Sequence, residues 1–277
     1  MKHVPRIVRE PLDLAQWRMD HPDDDRAPGA KAGAVWSRFK DSGPAYSSLL
    51  RALVDRQLGL CGYCEQRLTR SDGTLVVGDN QIEHVLAKSQ GPGRTLDGAN
   101  LMACCGGGTW ARSDEPSRHA VPVRDNLSCG QAKGEHELAA ACDPRSFPTV
   151  RPIVAVGLDG RLRAKVETCR EARIDPEHLQ HTIDERLRLN CERLRVARKR
   201  VIDHIVEWFV LLVREVLEQS PHLSDEAVAS VERALVGGRL GPDANGHLVP
   251  FWSSERQYLG PAAEAWVREH GALLHVG

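Results

Sequence analysis

Between residues 57 and 145 the sequence gathers the side chains best suited to hold metal ions and move protons. Cys61 and Cys64 are separated by two residues, the knuckle spacing that lets two thiolates meet one zinc ion. Cys105 and Cys129 are the candidates for the second pair, and Cys104 is an alternative to Cys105. Four thiolates leave no open coordination position, so such a site is structural: a clamp on a glycine-rich segment with little core of its own. A redox role for the pair fits less well, because no βαβ pattern surrounds it.

Between the two cysteine pairs lies Gln81-Ile82-Glu83-His84-Val85, a short strand candidate. Hydrolysis of a phosphodiester needs an activated water, a cation on the phosphate and relief of charge on the leaving oxygen. Glu83 can hold the cation. His84, with an ordinary pKa of about 6.5, can take the proton of the attacking water. Neighbours in a strand point to opposite faces, so the pair can share a site only if the strand bends there. Asn100-Leu101 and the run from Cys129 to Gly134 follow.

These residues need a scaffold, and the flanking sequence supplies helices. Helical periods run through residues 10–19, 35–39 and 46–58, the last with Leu49, Leu50, Leu53, Val54 and Leu58 on one face and Pro44 at its start. Residues 131–141 read as a short helix. Residues 150–166 read as a hairpin around Leu158-Asp159-Gly160. A long helix is expected over 184–219, another capped by Ser224 and ending near Gly237-Gly238, and a last one opened by Pro261. The division expected is a helical region over 1–60, a cysteine-bearing core over 61–145, and a hairpin with further helices over 146–277. The class is α+β, mostly helical. The formal net charge is −1 across 277 residues, so bulk charge does not announce a nucleic-acid binder. The longest apolar run, 205–217, is interrupted by charge and shorter than the roughly 20 residues of a membrane span. A cytoplasmic protein is expected, with no membrane partner.

The strings CGYCE, IEH, ANLMACC and SCGQAKG resemble the zinc-bearing HNH endonucleases, and most of all the PtuB-like nucleases of Septu-type anti-phage systems. Glu10-Pro11, the approach over 57–61, and residues 187–198 with Leu189-Asn190 carry the likeness further. The resemblance implies a ββα-metal core, with His84 as general base and Glu83 as metal ligand. Asn100 would hold the catalytic loop, and Cys61, Cys64, Cys105 and Cys129 would bind zinc. It implies catalytic magnesium or manganese, a DNA substrate, and an ABC-type ATPase partner. One position departs from the pattern. Many HNH enzymes have asparagine after the last knuckle cysteine, where this chain has Gly130. Gln131, His136 or Asp143 would then complete the metal shell, or water would. Alternatively, the chain is a catalytically degenerate, zinc-stabilised binding or scaffold subunit. Lys133, together with Arg188, Arg195 and Lys199 in a basic stretch over 186–200, is the expected nucleic-acid contact. Lys88, Arg94, Arg112, Arg118 and Arg124 form a second possible footprint.

Overall fold

The computed structural model describes residues 1–7, 9–109, 126–219 and 225–271. Among them the chain is mostly helical, with two small sheets. The N-terminal region forms α1 (Leu12–Asp20), α2 (Pro22–Asp25), α3 (Ala32–Asp41) and α4 (Pro44–Arg56). Pro44 fills the first helical position of α4, where its missing N–H costs nothing. Leu49, Leu50, Leu53 and Val54 make the buried stripe of that helix.

The cysteine-bearing segment holds β1 (Asn80–His84), β2 (Leu101–Cys105) and the single-turn helix α5 (Cys129–Lys133). The two strands are antiparallel, with Ile82 opposite Ala103 and Gln81 opposite Cys104. The helix expected over 131–141 stops at Lys133, because Gly134 turns the backbone to φ +55° and breaks the period. The second sheet is the expected hairpin, β3 (Val154–Val156) and β4 (Leu162–Ala164). Then come α6 (Val166–Glu171), α7 (Pro176–His181) and a π-helical turn over Thr182–Arg186. The long helix α8 therefore starts at Glu192, later than expected. Arg188, at φ +48°, breaks the chain just before it. α9 (Asp225–Leu240), α10 (Trp252–Tyr258) and α11 (Gly260–His270) complete the fold. Ser224, the expected cap of α9, lies outside the described residues. Among the described residues α8 has α10 as its main helical neighbour. No helix among the described residues is long and apolar enough to cross a membrane.

One cluster of buried apolar side chains draws on all three regions, including Leu53, Ile82, Met102, Ile153, Leu194 and Phe251. A second joins Leu58 and Leu60 to Val236, Leu240, Leu248, Trp252 and Val267.

Two-stranded sheets leave backbone groups without partners, and side-chain amides take that role here. Gln57, buried at the end of α4, accepts from the Ala103 N–H at 2.7 Å and donates to the Ala103 carbonyl at 2.9 Å and the Leu60 carbonyl at 2.8 Å. It pairs with β2 as a neighbouring strand would. Asn190 treats Leu162 in the same way, and Gln257 does so for Val156. Replacing Gln57→Leu strands the partners of this amide in the interior. Urea unfolding is expected to show a loss of about 3 kcal/mol, and an unchanged midpoint would remove Gln57 from the list of groups that hold β2.

Candidate active site and metal centre

The thiol cluster begins with a tight turn. The Cys61 N–H bonds to the Gln66 carbonyl at 2.8 Å and the Glu65 N–H to the Cys61 carbonyl at 3.1 Å, with Glu65 at φ +65°. Gly62 is required at the turn: a Cβ there would lie 2.2 Å from the Met102 sulfur. Two backbone N–H groups point at sulfur, Cys105 at Cys61 and Gln66 at Cys64, each at 3.4 Å.

Five sulfurs meet there. Cys61 lies 3.7 Å from Cys104 and 3.9 Å from Cys129, and Cys105 lies 3.7 Å from both Cys64 and Cys129. These spacings are far too long for disulfides. They match the edge of a sulfur tetrahedron around zinc, about 3.8 Å for Zn–S bonds of about 2.3 Å. Cys61, Cys104, Cys105 and Cys129 are the four whose sulfurs all lie within 4.8 Å of one another. The expected set held Cys64 in place of Cys104. Cys104 and Cys105, alternatives in the sequence, are neighbours at the end of β2, and both sulfurs reach the cluster. Burial pushes the Cys64, Cys104 and Cys129 thiols well up. Cys105 is held well below the ordinary value by hydrogen bonds from its neighbours, Cys104 first. Such a set ionises fully only around a cation, and the donor chemistry fits zinc.

Beside the cluster is a cleft of about 210 Å³ whose lining includes Trp36, Gln81, Glu83, His84, Gly130 and Gln131. Glu83 and His84 do share it, because β1 ends at His84. The His84 Nε2 lies 2.9 Å from the Thr95 carbonyl. A carbonyl only accepts, so Nε2 carries the proton and Nδ1 keeps a lone pair. Trp36 of α3 stands edge-on to the ring, with centroids 4.4 Å apart. Burial is the main reason that the His84 pKa falls to about 4, and the Lys88 and Lys133 charges push the same way. Asn100 accepts from the Leu86 N–H at 2.8 Å and donates to the Leu86 and Arg94 carbonyls, both at 3.0 Å. It thus ties together the two ends of the loop that carries Thr95.

Lys133, expected at a nucleic-acid surface, is instead buried: its side chain is 1 % exposed and its ammonium lies 3.0 Å from Glu83 Oε1. It donates to the Gly134 carbonyl at 3.2 Å and the His136 carbonyl at 3.3 Å, so Glu83 Oε1 has an ion-pair neighbour but no aligned hydrogen-bond donor. Burial raises the Glu83 pKa, against the pull of Lys133. A buried carboxylate oxygen of this kind, facing a polar cleft, fits a hard divalent cation.

Gly130 has a steric reason to lack a side chain. A Cβ there would sit 2.4 Å from Glu83 Oε2 and 3.1 Å from the Gln81 amide nitrogen. Of the expected substitutes, Gln131 lines the cleft and donates to Gln81 Oε1 at 2.9 Å. His136 is exposed. Asp143 is engaged by Arg145, at 2.7 Å for the closest oxygen. Sequence reading missed Gln81, Trp36 and Thr95. Gln81 had a legible signal, two residues from Glu83 on the same strand face, whereas Trp36 and Thr95 arrive only by folding.

The basic stretch over 186–200 divides. Arg195 bonds Asp159 at 3.2 Å, Lys199 bonds Asp203 at 2.7 Å, and Arg193 and Arg198 are buried. Arg188 is partly buried. In the second footprint, Lys88 lines the cleft and Arg94 pairs with Glu137. Arg112, Arg118 and Arg124 lie outside the described residues.

No family model matches the chain. Over 193 residues, 61 % of its length and 71 % of the other protein, it is 28 % identical to an Escherichia coli protein named "Retron Ec83 putative HNH endonuclease". That likeness supports a nuclease of the HNH family.

Two outcomes are expected from substitution. Because a tetrahedron takes four of the five sulfurs, Cys61→Ser, Cys105→Ser and Cys129→Ser each lose zinc, while only one of Cys64→Ser and Cys104→Ser does. Metal analysis of the purified proteins decides this, and zinc retained in all five variants would remove the site. Gly130→Ala should displace the Glu83 carboxylate and lower any divalent-metal-dependent activity by at least tenfold at unchanged zinc content; wild-type rates in that variant would show that the close approach is immaterial.

Proposed function

We infer that the chain is a metal-dependent HNH endonuclease that hydrolyses DNA phosphodiester bonds. The observation that carries this is His84: its Nε2 proton is committed to the Thr95 carbonyl, and it stands beside Glu83 in a polar cleft. The chain order β1, β2, α5, with β1 and α5 lining that cleft, supports the ββα-metal reading, and so does the named relative. In this reading Glu83 would hold magnesium or manganese, with Gln81 and Gln131 lining the same cleft. The cation would supply charge to the phosphate and the leaving oxygen when bound. His84 Nδ1 takes the proton of the attacking water, and Asn100 keeps the Thr95 loop where it fixes the imidazole. The thiol cluster holds structural zinc, and Lys88 at the cleft is placed to meet a phosphate.

The finer reading is an effector of a prokaryotic anti-phage system of the Septu type, working in the cytoplasm beside an ABC-type ATPase. The motif strings support it, and a relative named for a retron bears on the defence role alone. Arg188, Arg195 and Lys199 would then reach DNA only by exchanging their present partners for phosphates. A second reading, a degenerate zinc-stabilised binding or scaffold subunit, is favoured by Gly130 alone.

Plasmid nicking by wild type and His84→Ala, with and without Mg²⁺ or Mn²⁺, alone and with the ATPase, tests the reading. Metal-dependent cutting that falls at least a hundredfold in the variant is expected. No cutting under any condition by folded, zinc-loaded protein would leave the second reading. The pH profile is a separate check. A base whose pKa is lowered to about 4 stays unprotonated until the pH falls through that value. Cutting should therefore show no loss centred near pH 6.5, and a limb there would mean that His84 is not the base.

A further inference from the structure

The helix α8 (Glu192–Gln219) has apolar side chains on two opposite sides. Leu194, Ile202 and Ile205 are buried on the inward side. Trp208 continues that side, with the Arg239 guanidinium of α9 5.2 Å from its ring centre. Val196, Val206, Val210 and Leu211 face outward, and Val210 and Leu211 are 60 % and 65 % exposed. At about 100° per residue these four fall within one arc of roughly 140°, turned away from Leu194, Ile202 and Ile205. A helix face that only meets water is polar, and a run of valine and leucine on it marks a contact surface.

The same arc carries Lys199, Asp203, Arg214 and Glu218, all about half exposed or more. Within the chain they pair along the helix, Lys199 with Asp203 at 2.7 Å and Arg214 with Glu218 at 2.8 Å. Their order along the helix is cation, anion, apolar centre, cation, anion. About the midpoint between Trp208 and Phe209 this order inverts its charge. Lys199 and Glu218 are equally far from that midpoint, and so are Asp203 and Arg214, and Val206 and Leu211. An antiparallel copy of the helix therefore sets Lys199 level with Glu218, Asp203 level with Arg214, and the apolar centres together. Arg200, also exposed and on the arc, gives Glu218 a second cation nearly level with it. A parallel copy in register sets like charges side by side. A phosphate backbone on this face would meet Asp203, Glu207 and Glu218 and be repelled.

We propose that the outward face of α8 binds a second copy of this chain, helix against antiparallel helix, about a two-fold axis through the midpoint between Trp208 and Phe209. The surface is self-complementary, as a two-fold contact requires. One helix pair is small for a specific interface, and Glu207 is level with Val210 and has no cation opposite. Association in the micromolar range is therefore expected. The second copy and DNA compete for Lys199.

Sedimentation equilibrium of the full chain tests this, with circular dichroism to check the fold. Wild type is expected to dimerise. Asp203→Arg and Arg214→Asp each set like charges level at both ends of the contact, and each should weaken the dimer by about tenfold or more. Mixed in equal amounts, these two variants restore opposite charges at both ends, and the mixed dimer should form within a few-fold of the wild-type affinity. Val210→Asp should stay monomeric alone and in mixtures. All three positions are exposed, so the variants keep the fold of the monomer. Wild type that is monomeric up to roughly 100 µM overturns the proposal and leaves the face to a different partner. Single variants that dimerise as wild type does overturn it as well, and so does a mixture that associates no better than its components.

Discussion

The five-residue helix α5 is tied at both ends, and the cleft depends on both ties. Its first residue, Cys129, sits in the thiol cluster 3.7 Å from Cys105. Its last, Lys133, lies 3.0 Å from Glu83. Between them Gly130 lets the Glu83 carboxylate approach to a distance that no Cβ would permit. A helix this short has no stability of its own, and Cys129 begins it at φ +56°, a left-handed conformation that costs a residue with a Cβ about 1–2 kcal/mol. The cluster and the ion pair must supply what the helix lacks. Thiol cluster and candidate catalytic carboxylate are thus mechanically one object, with α5 as the link.

The helical regions act on that object from outside. α3 places Trp36 against His84. α4 ends in Gln57, whose amide substitutes for a missing strand beside β2. α8 sends Arg193 to Gln66 and Ser128, on either side of the cluster. The Gln57 and Arg193 contacts satisfy polar groups that a two-stranded sheet with a cysteine turn cannot satisfy internally. The loops between the strands can be long and irregular because Asn100 fastens both ends of the one that matters.

Charge is distributed by the same logic. The arginines of 186–200 form a ridge when drawn on a helical wheel, but burial sorts them. Two turn inward, and Arg195 and Lys199 meet Asp159 and Asp203. Surface pairs of this kind are worth little and exchange readily, so a phosphate can compete for them. The inward pair cannot be recruited in that way. With a net charge near zero, bulk attraction adds little to any nucleic-acid binding.

What could be read from the sequence was what depends on neighbours along the chain. The helical periods of the N-terminal region, the hairpin around Asp159-Gly160 and the β1 strand are local, and they appear within a few residues of their expected limits, whereas α5 stops and α8 starts well away from theirs. So does the pairing of Glu83 with His84 in one cleft, since a strand end is a local event. Tertiary structure decided the rest. It drew a fifth sulfur into the cluster. It turned Lys133 from a surface cation into the buried counter-charge of Glu83, gave Gly130 a steric purpose, and chose Thr95 to fix the proton on His84. Each of these sets a side chain against one that is distant in sequence, or depends on which way a helix faces. Residue type and spacing leave that open, because the free energy that settles it is the cost of burying charge and polar groups without a partner.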